Sequence, residues 1–216
     1  MQKHLEKILV VDDEPHIRKN LKLLFKLEGY EVDLAENGED ALNKFEEAHP
    51  PYDLVFLDLQ MPKMNGFELL EILRQKYSKT VVVMVSAFGT ISRAVESIKL
   101  GAVDFIEKPF DPEKIKLLAE EILFRKKIQP ASTDDLLHLA LLAKKRNATS
   151  EARAYLKMAL QRDLTRPEPY YELALLEEVE NRPRTAMQLY SMSLEAKPMY
   201  EPAQAALKRL GYLEDK

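Results

Sequence analysis

No cysteine occurs anywhere in the 216 residues. Disulfides, thiolate zinc sites and a thiol nucleophile are therefore excluded. Histidine is scarce, and His4, His16, His49 and His138 show no metal-ligand spacing. No apolar run approaches the roughly 20 residues that a membrane helix needs. The N-terminal stretch MQKHLEKILVVDD has no long apolar core and no small-residue cleavage site, so it does not read as a signal peptide. A cytoplasmic protein with no membrane partner is expected. A basic excess is missing too. Residues 1–128 carry 19 Lys/Arg against 23 Asp/Glu, and residues 129–216 carry 13 against 13. Neither part has the charge of a nucleic-acid-binding domain, so no nucleic-acid partner is expected.

What remains is a soluble composition, 46% hydrophobic and 31% charged, able to bury a core. It is written in two grammars. The first alternates strand and helix signals. Short runs rich in Val, Ile and Leu at 7–11, 31–35, 54–57, 81–85 and 103–106 suit strands buried on both faces of a parallel sheet. Between them lie helical segments at about 14–27, 38–48, 66–77, 90–100 and 111–127, punctuated by Gly29, Pro50–Pro51 and Gly101. Five strands alternating with five helices imply a doubly wound α/β domain over 1–127.

The second grammar is all helical, with breaks at 147–150, 165–169, 181–183 and 197–202. A shift of 34 residues aligns Leu136 with Tyr170, Leu139 with Leu173, Ala140 with Ala174, Ala152 with Ala186, Leu156 with Tyr190 and Ala159 with Ser193. That period is the one of tetratricopeptide helical hairpins. Residues 128–134 (IQPASTD) read as a linker, and 135–216 as the helical domain.

The carboxylates fall at strand ends. Asp12 and Asp13 follow the first strand run and Asp58 follows the third. In a flavodoxin-like order 2-1-3-4-5, strands 1 and 3 are neighbours, and ligands bind at the carboxyl ends where the order switches. Three carboxylates there repel one another, and an all-oxygen ligand set points to Mg2+. Ser86 follows the fourth strand and Lys108 the fifth, ahead of Pro109; a hydroxyl and a point charge suit phosphate or carboxylate oxygens. The residue before proline is held extended, and such a bond can be cis.

VVDDE at 10–14, LDLQMPKMNG at 57–66, Ser86–Ala87 and DFIEKPF at 104–110, occurring in this order, resemble the receiver domain of two-component response regulators. The resemblance implies that Asp58 is the phosphoacceptor. It implies Mg2+ bound by Asp13, Asp58 and the main-chain carbonyl of Gln60, with Asp12 acting through water. It implies that Ser86 and Lys108 contact the phosphoryl group, and that Phe105, with Ser86, switches position. It also implies a histidine kinase or phosphotransfer protein as the donor.

Each element alone has a plainer reading. A DD pair is usually a solvated turn or a cap, and a Lys-Pro step is usually loop chemistry. Leu59, Met61 and Met64 read as packing or loop residues, and Phe105 competes with an ordinary buried strand aromatic. Phe88 and Gln60 are expected to flank the phosphoryl group and restrict attacking water, against a surface-loop reading of Phe88.

The helical part resembles two tetratricopeptide repeats plus a capping helix. It lacks the usual Trp and the Gly after Leu. Such repeats bind proteins along a face formed by their first helices, for which His138, Lys145, Tyr171, Glu172 and Glu178 are the candidates. A second copy of the chain is a further candidate partner. Nothing in this part has an acid–base pair, a phosphate loop or an activated nucleophile. No enzyme activity is expected beyond self-phosphorylation and dephosphorylation at Asp58. The expected function is a phosphorelay switch with output by protein–protein contact; a constitutive scaffold and a transcription regulator are the alternatives.

Overall fold

The computed structural model describes residues 5–49, 51–87, 90–128 and 132–212. The chain divides into two compact units, residues 1–123 and 124–216. In the first, strands β1 (Lys7–Val11), β2 (Glu31–Ala35), β3 (Leu54–Asp58), β4 (Val81–Ser86) and β5 (Asp104–Glu107) alternate with helices. Those helices are α1 (Pro15–Leu27), α2 (Gly38–Glu47), α3 (Gly66–Lys76), α4 (Ile91–Lys99) and α5 (Pro112–Lys127). The sheet is parallel throughout, in the order β2-β1-β3-β4-β5. This is the expected doubly wound, flavodoxin-like topology.

The continuous apolar runs divide residue by residue between the two faces, because successive strand side chains point opposite ways. Leu9, Val11, Val55, Leu57, Val82 and Met84 face α2 and α3, meeting Ala41, Phe45, Leu69, Leu70 and Leu73. Ile8, Val10, Leu54, Phe56, Val83 and Val85 face α1 and α5, meeting Leu21, Phe25, Ile115, Leu118 and Ile122. Full burial of such a side chain contributes roughly 1.5–3 kcal/mol. Phe25 stacks on Phe56 at 5.0 Å between centroids, and Phe45 meets Tyr52 edge-on at 5.0 Å. α4 is the exception. It buries only Ser97 and leaves Ile91, Val95 and Ile98 exposed.

Side-chain caps set where α2 and α3 begin. Asn37 accepts from the Asp40 N–H at 3.0 Å. Asn65 caps α3, and Glu68 returns the bond to the Asn65 N–H at 3.0 Å, a reciprocal box that satisfies two otherwise orphaned donors. One strand limit differs from the expectation. β5 starts at Asp104, and Val103 stands exposed before it, its N–H bonded to Val82 O at 2.9 Å.

The second unit is helical: the end of α5, then α6 (Thr133–Lys145), α7 (Thr149–Arg162), α8 (Pro167–Val179), α9 (Pro183–Ala196) and α10 (Glu201–Arg209). The starts of α6 and α8, of α7 and α9, and of α8 and α10 are each 34 residues apart (167 − 133, 183 − 149, 201 − 167). Asn147 and Asn181, also 34 apart, close α6 and α8 in the left-handed region at φ 62° and 57°, a conformation Asn tolerates better than most residues. The aligned small residues Ala140, Ala174, Ala152 and Ala186 are all buried, as are Leu156 and its counterpart Tyr190.

The linker expected over 128–134 is shorter than it reads. Ser132 caps α6 through Asp135 N–H at 3.1 Å, and Thr133 and Asp134 already lie in its first turn. Residues 129–131 of that stretch lie outside the described residues. The last turn of α5 belongs with the helical unit, because Phe124 packs edge-on to His138 at 4.6 Å and Arg125 donates to the Tyr155 hydroxyl at 3.3 Å. That places the division between units ahead of residue 127.

Gly66 is where the fold is tightest around β3. A Cβ there would overlap the Asp58 carbonyl oxygen and come within 2.9 Å of Leu59 Cα, both backbone atoms that cannot rotate away. Gly66→Ala is expected to destabilise the first unit by about 1–3 kcal/mol, the cost of overpacking. It should also displace the Asp58 backbone. Chemical denaturation reads the first effect, and amide shifts of residues 58–60 read the second.

Candidate functional site

Parallel pairing brings the strand ends level. Val11 pairs with Leu57 in register, so Asp12 and Asp58, each one residue on, stand side by side at the carboxyl edge. Both are almost wholly buried. Ser86 ends β4 in register with Glu107, and the Lys108 N–H bonds Ser86 O at 2.8 Å. The Lys108–Pro109 peptide is cis.

One ammonium gathers three carboxylates. Lys108 Nζ lies 2.7 Å from Asp12 Oδ2, 2.9 Å from Glu14 Oε1 and 3.1 Å from Asp58 Oδ1. The remaining oxygens of the two aspartates are held by the backbone. The Glu14 N–H donates to Asp12 Oδ1 at 2.9 Å, and the Gln60 N–H donates to Asp58 Oδ2 at 2.9 Å. Arg18 donates to the Asp12 carbonyl.

The electrostatics follow from burial. Desolvation pushes the Asp58 carboxyl up to about 6, against the pull of Lys108, and the charge of Asp12 adds to the rise. Asp12 is likewise raised by burial, in spite of its bonds to Lys108 and Glu14 N–H. Glu14, more exposed, is lowered by its hydrogen bond to Lys108. Burial alone would lower Lys108. Its bonds to Asp12 and Glu14 and the charges of Asp12 and Asp58 outweigh that and hold it above the usual lysine range. The pocket thus holds a fixed cation and a net excess of negative charge.

Three carboxylates sharing one ammonium are short of positive charge, and every candidate donor is oxygen. A hard divalent cation fits that set, and Mg2+ needs only one or two carboxylates. No group of three or more acidic, His or Cys side chains is arranged as a metal cage among the described residues. Asp12 and Asp58 bring carboxylate oxygens to this edge.

Of the expected residues, Asp12, Asp58 and Lys108 meet directly, and Ser86 is buried at the neighbouring strand end. Asp13 is exposed and is not among the carboxylates on Lys108. Phe105 is half-buried in β5, in register with Met84 and packed against the α2–α3 side of the core. Phe88 lies outside the described residues. Glu14 was given no role by sequence reasoning. Its signal was there in the VVDDE run, two residues after Asp12 at the mouth of α1.

Residues 8–120, just over half of the chain, match the family model of the response regulator receiver domain. The chain belongs to that family. The regulatory protein AtoC of Escherichia coli strain K12 is 37% identical over 119 residues, which cover 55% of this chain and 25% of AtoC. The transcriptional regulatory protein ResD of Bacillus subtilis strain 168 is 41% identical over 119 residues, covering 55% of this chain and 48% of ResD. The chain therefore spans a quarter to about half the length of these relatives. Among solved structures, a CheY-like response regulator receiver domain protein from Methanospirillum hungatei JF-1 superposes with a TM-score of 0.55 at 31% identity. That match covers 57% of this chain and 98% of the other. The first unit is thus a receiver domain, the core of a two-component response regulator. No helix among the described residues is long and apolar enough to cross a membrane.

Burial of Asp58 has a measurable cost. Its folded pKa of about 6 stands above the ordinary 3.8, so folding favours the protonated form. The favourable share is full below about pH 4 and is lost as pH rises through 6. Asp58→Asn, which cannot ionise, should therefore stabilise the metal-free protein at pH 7 by about 1–3 kcal/mol. The gain should shrink towards zero at pH 4. Urea midpoints of both proteins across pH 4–7 check this, and a constant difference would contradict it.

Proposed function

We propose that the protein is a phosphorelay switch in which Asp58 accepts a phosphoryl group from a histidine kinase or phosphotransfer protein, and in which the helical unit delivers the output by binding another protein. The observation that carries the first half is Lys108 held 3.1 Å from Asp58 Oδ1 and 2.7 Å from Asp12 Oδ2 at the edge where β1 and β3 meet.

A carboxylate oxygen of Asp58 attacks the phosphorus of a phosphohistidine, and the phosphorus–nitrogen bond breaks as an acyl phosphate forms. Transfer of this kind depends on positioning and charge neutralisation more than on covalent help. The Gln60 N–H fixes one Asp58 oxygen at 2.9 Å and so aims the other. Lys108 supplies the permanent positive charge, and the Ser86 hydroxyl, one strand over, donates to a phosphoryl oxygen. Mg2+ held by Asp13, Asp58 and the Gln60 carbonyl, with Asp12 behind it, would supply the rest of the charge the phosphoryl oxygens need. Phe105 moves with Ser86 as the domain responds.

The helical unit reads as tetratricopeptide-like. Its support is the 34-residue recurrence of helix starts and of the left-handed Asn147 and Asn181. Three of the residues expected on its binding face are spent within the unit. Glu172 pairs with Lys144 at 2.6 Å, and Glu178 accepts from Tyr190 at 3.0 Å and from Arg209 at 2.8 Å. Tyr171 packs its ring against Tyr190 and Tyr200. Of the other two, Lys145 is exposed and His138 is half-buried against Phe124.

Two relatives are described as regulators, one of them as transcriptional, but the matched part is a quarter to a half of their length. The balanced 13 Lys/Arg against 13 Asp/Glu over 129–216 favours a protein partner over DNA here.

With acetyl phosphate and Mg2+, the wild type should take up about one phosphoryl group per chain, whereas Asp58→Asn should take up none. Lys108→Ala should slow uptake by about 100-fold, as expected for loss of a preorganised charge at the reacting centre. Label that persists in Asp58→Asn would move the phosphoacceptor elsewhere. Proteins captured by the phosphorylated but not the unphosphorylated full chain would identify the output partner. Equal capture would leave a constitutive scaffold.

A further inference from the structure

Arg93 breaks two local rules at once. It sits in the first turn of α4, after the cap Thr90, whose hydroxyl accepts the Arg93 N–H at 3.3 Å. A cation in that turn opposes the helix dipole, and α4 has no acidic residue there to offset it. The residue is half-exposed, but one end of its side chain is turned away from water. Its Nη1 is shut off from solvent and has no hydrogen-bond partner among the described residues. A buried guanidinium donor without an acceptor is costly.

The side chain lines a small cavity of about 220 Å3 together with Leu59, Gln60, Asn65 and Phe67. This cavity is on the β3–α3 side of the site. Leu59 and Gln60 directly follow Asp58, and the Gln60 N–H holds Asp58 Oδ2. The side-chain oxygen of Asn65 is already taken by the N–H groups of Phe67 and Glu68. Nothing on this wall carries negative charge. The cation therefore lines the same cavity as the two residues that directly follow Asp58, the carboxylate on which negative charge would build. A local rule broken without a local gain points to a second state in which the group is paired.

We propose that Arg93 is the positioning residue through which α4 responds to charge on Asp58. Phosphorylation adds about two negative charges beyond Gln60. The guanidinium pairs with a phosphoryl oxygen, and the first turn of α4 follows it towards the β3–α3 loop. The inference rests on Asp58 being the phosphoacceptor. α4 is suited to such a movement, since Ser97 is its one buried residue and its apolar residues Ile91, Val95 and Ile98 are exposed. Arg93 is not needed for the phosphoryl transfer itself, because Lys108 already sits on Asp58.

The test uses the full chain with beryllofluoride and Mg2+ as the phosphoryl mimic, comparing wild type, Arg93→Gln, Arg93→Lys and Asp58→Asn. Beryllofluoride affinity, hydrogen exchange of residues 91–99 and the thermal midpoint without beryllofluoride are measured. In the wild type, beryllofluoride should slow exchange in α4. Arg93→Gln should bind it about tenfold more weakly, the size expected for a lost charge-assisted bond, and should show no slowing in α4. Arg93→Lys should lie between. Without beryllofluoride, Arg93→Gln should be at least as stable as the wild type, since a shielded guanidinium donor without an acceptor has gone. A structural role predicts the reverse, a lower midpoint with unchanged affinity and unchanged α4 response, and that result would overturn the proposal. Beryllofluoride binding that is absent in the wild type, or equal in wild type and Asp58→Asn, would instead remove Asp58 as phosphoacceptor and the proposal with it.

Discussion

The Lys108 ammonium, lodged among Asp12, Glu14 and Asp58, is the interaction on which the first unit's chemistry depends. Two buried carboxylates at adjacent strand ends would drive each other apart or take up protons. The lysine lets both stay at the sheet edge, yet burial still lifts Asp58 towards neutrality. The site is therefore tense by construction. It concentrates acceptor oxygens in low dielectric, leaves them short of positive charge, and so favours whatever brings more of it.

The sheet makes this arrangement inexpensive elsewhere. Because the strands are buried on both faces, their apolar residues stabilise two helical layers, and the polar cluster is confined to one edge. Register does the positioning: the pairing of Val11 with Leu57 sets Asp12 beside Asp58, and the pairing of Ser86 with Glu107 brings Lys108 to the same edge. Gly66 completes it by letting the start of α3 press against the Asp58 backbone. The chemistry is thus a consequence of strand pairing rather than of a flexible loop finding its place.

Much of this was legible in the sequence, for a physical reason. Strands buried on both faces are written as unbroken apolar runs, and an Asp straight after such a run has to sit at its carboxyl end. Given a flavodoxin-like strand order, the meeting of Asp12, Asp58 and Lys108 followed from that. Contacts that join distant side chains were not legible. The place of Glu14 on Lys108 depends on how α1 leaves β1, and the inward turn of Arg93 depends on a cavity formed by another loop. The helical unit shows the same divide. Its period was readable, because small residues recur where helices touch. That Tyr171, Glu172 and Glu178 would be consumed by Lys144, Tyr190, Tyr200 and Arg209 was not, because each partner lies on a different helix.

The recurrence of Asn147 and Asn181 has a consequence for how the second unit holds together. Where each helix touches chiefly the next in line, stability is a sum over neighbours rather than the property of one shared core. Disorder entering at α10 would then travel inward one hairpin at a time, with Tyr190 and its hydrogen bond to Glu178 as the next barrier it meets. The receiver has no such gradation, since every strand shares the same two cores. One chain thus joins a part that opens all at once to a part that can unzip. Over evolutionary time, only the second of these can change its length by a whole repeat without disturbing the carboxylates around Lys108.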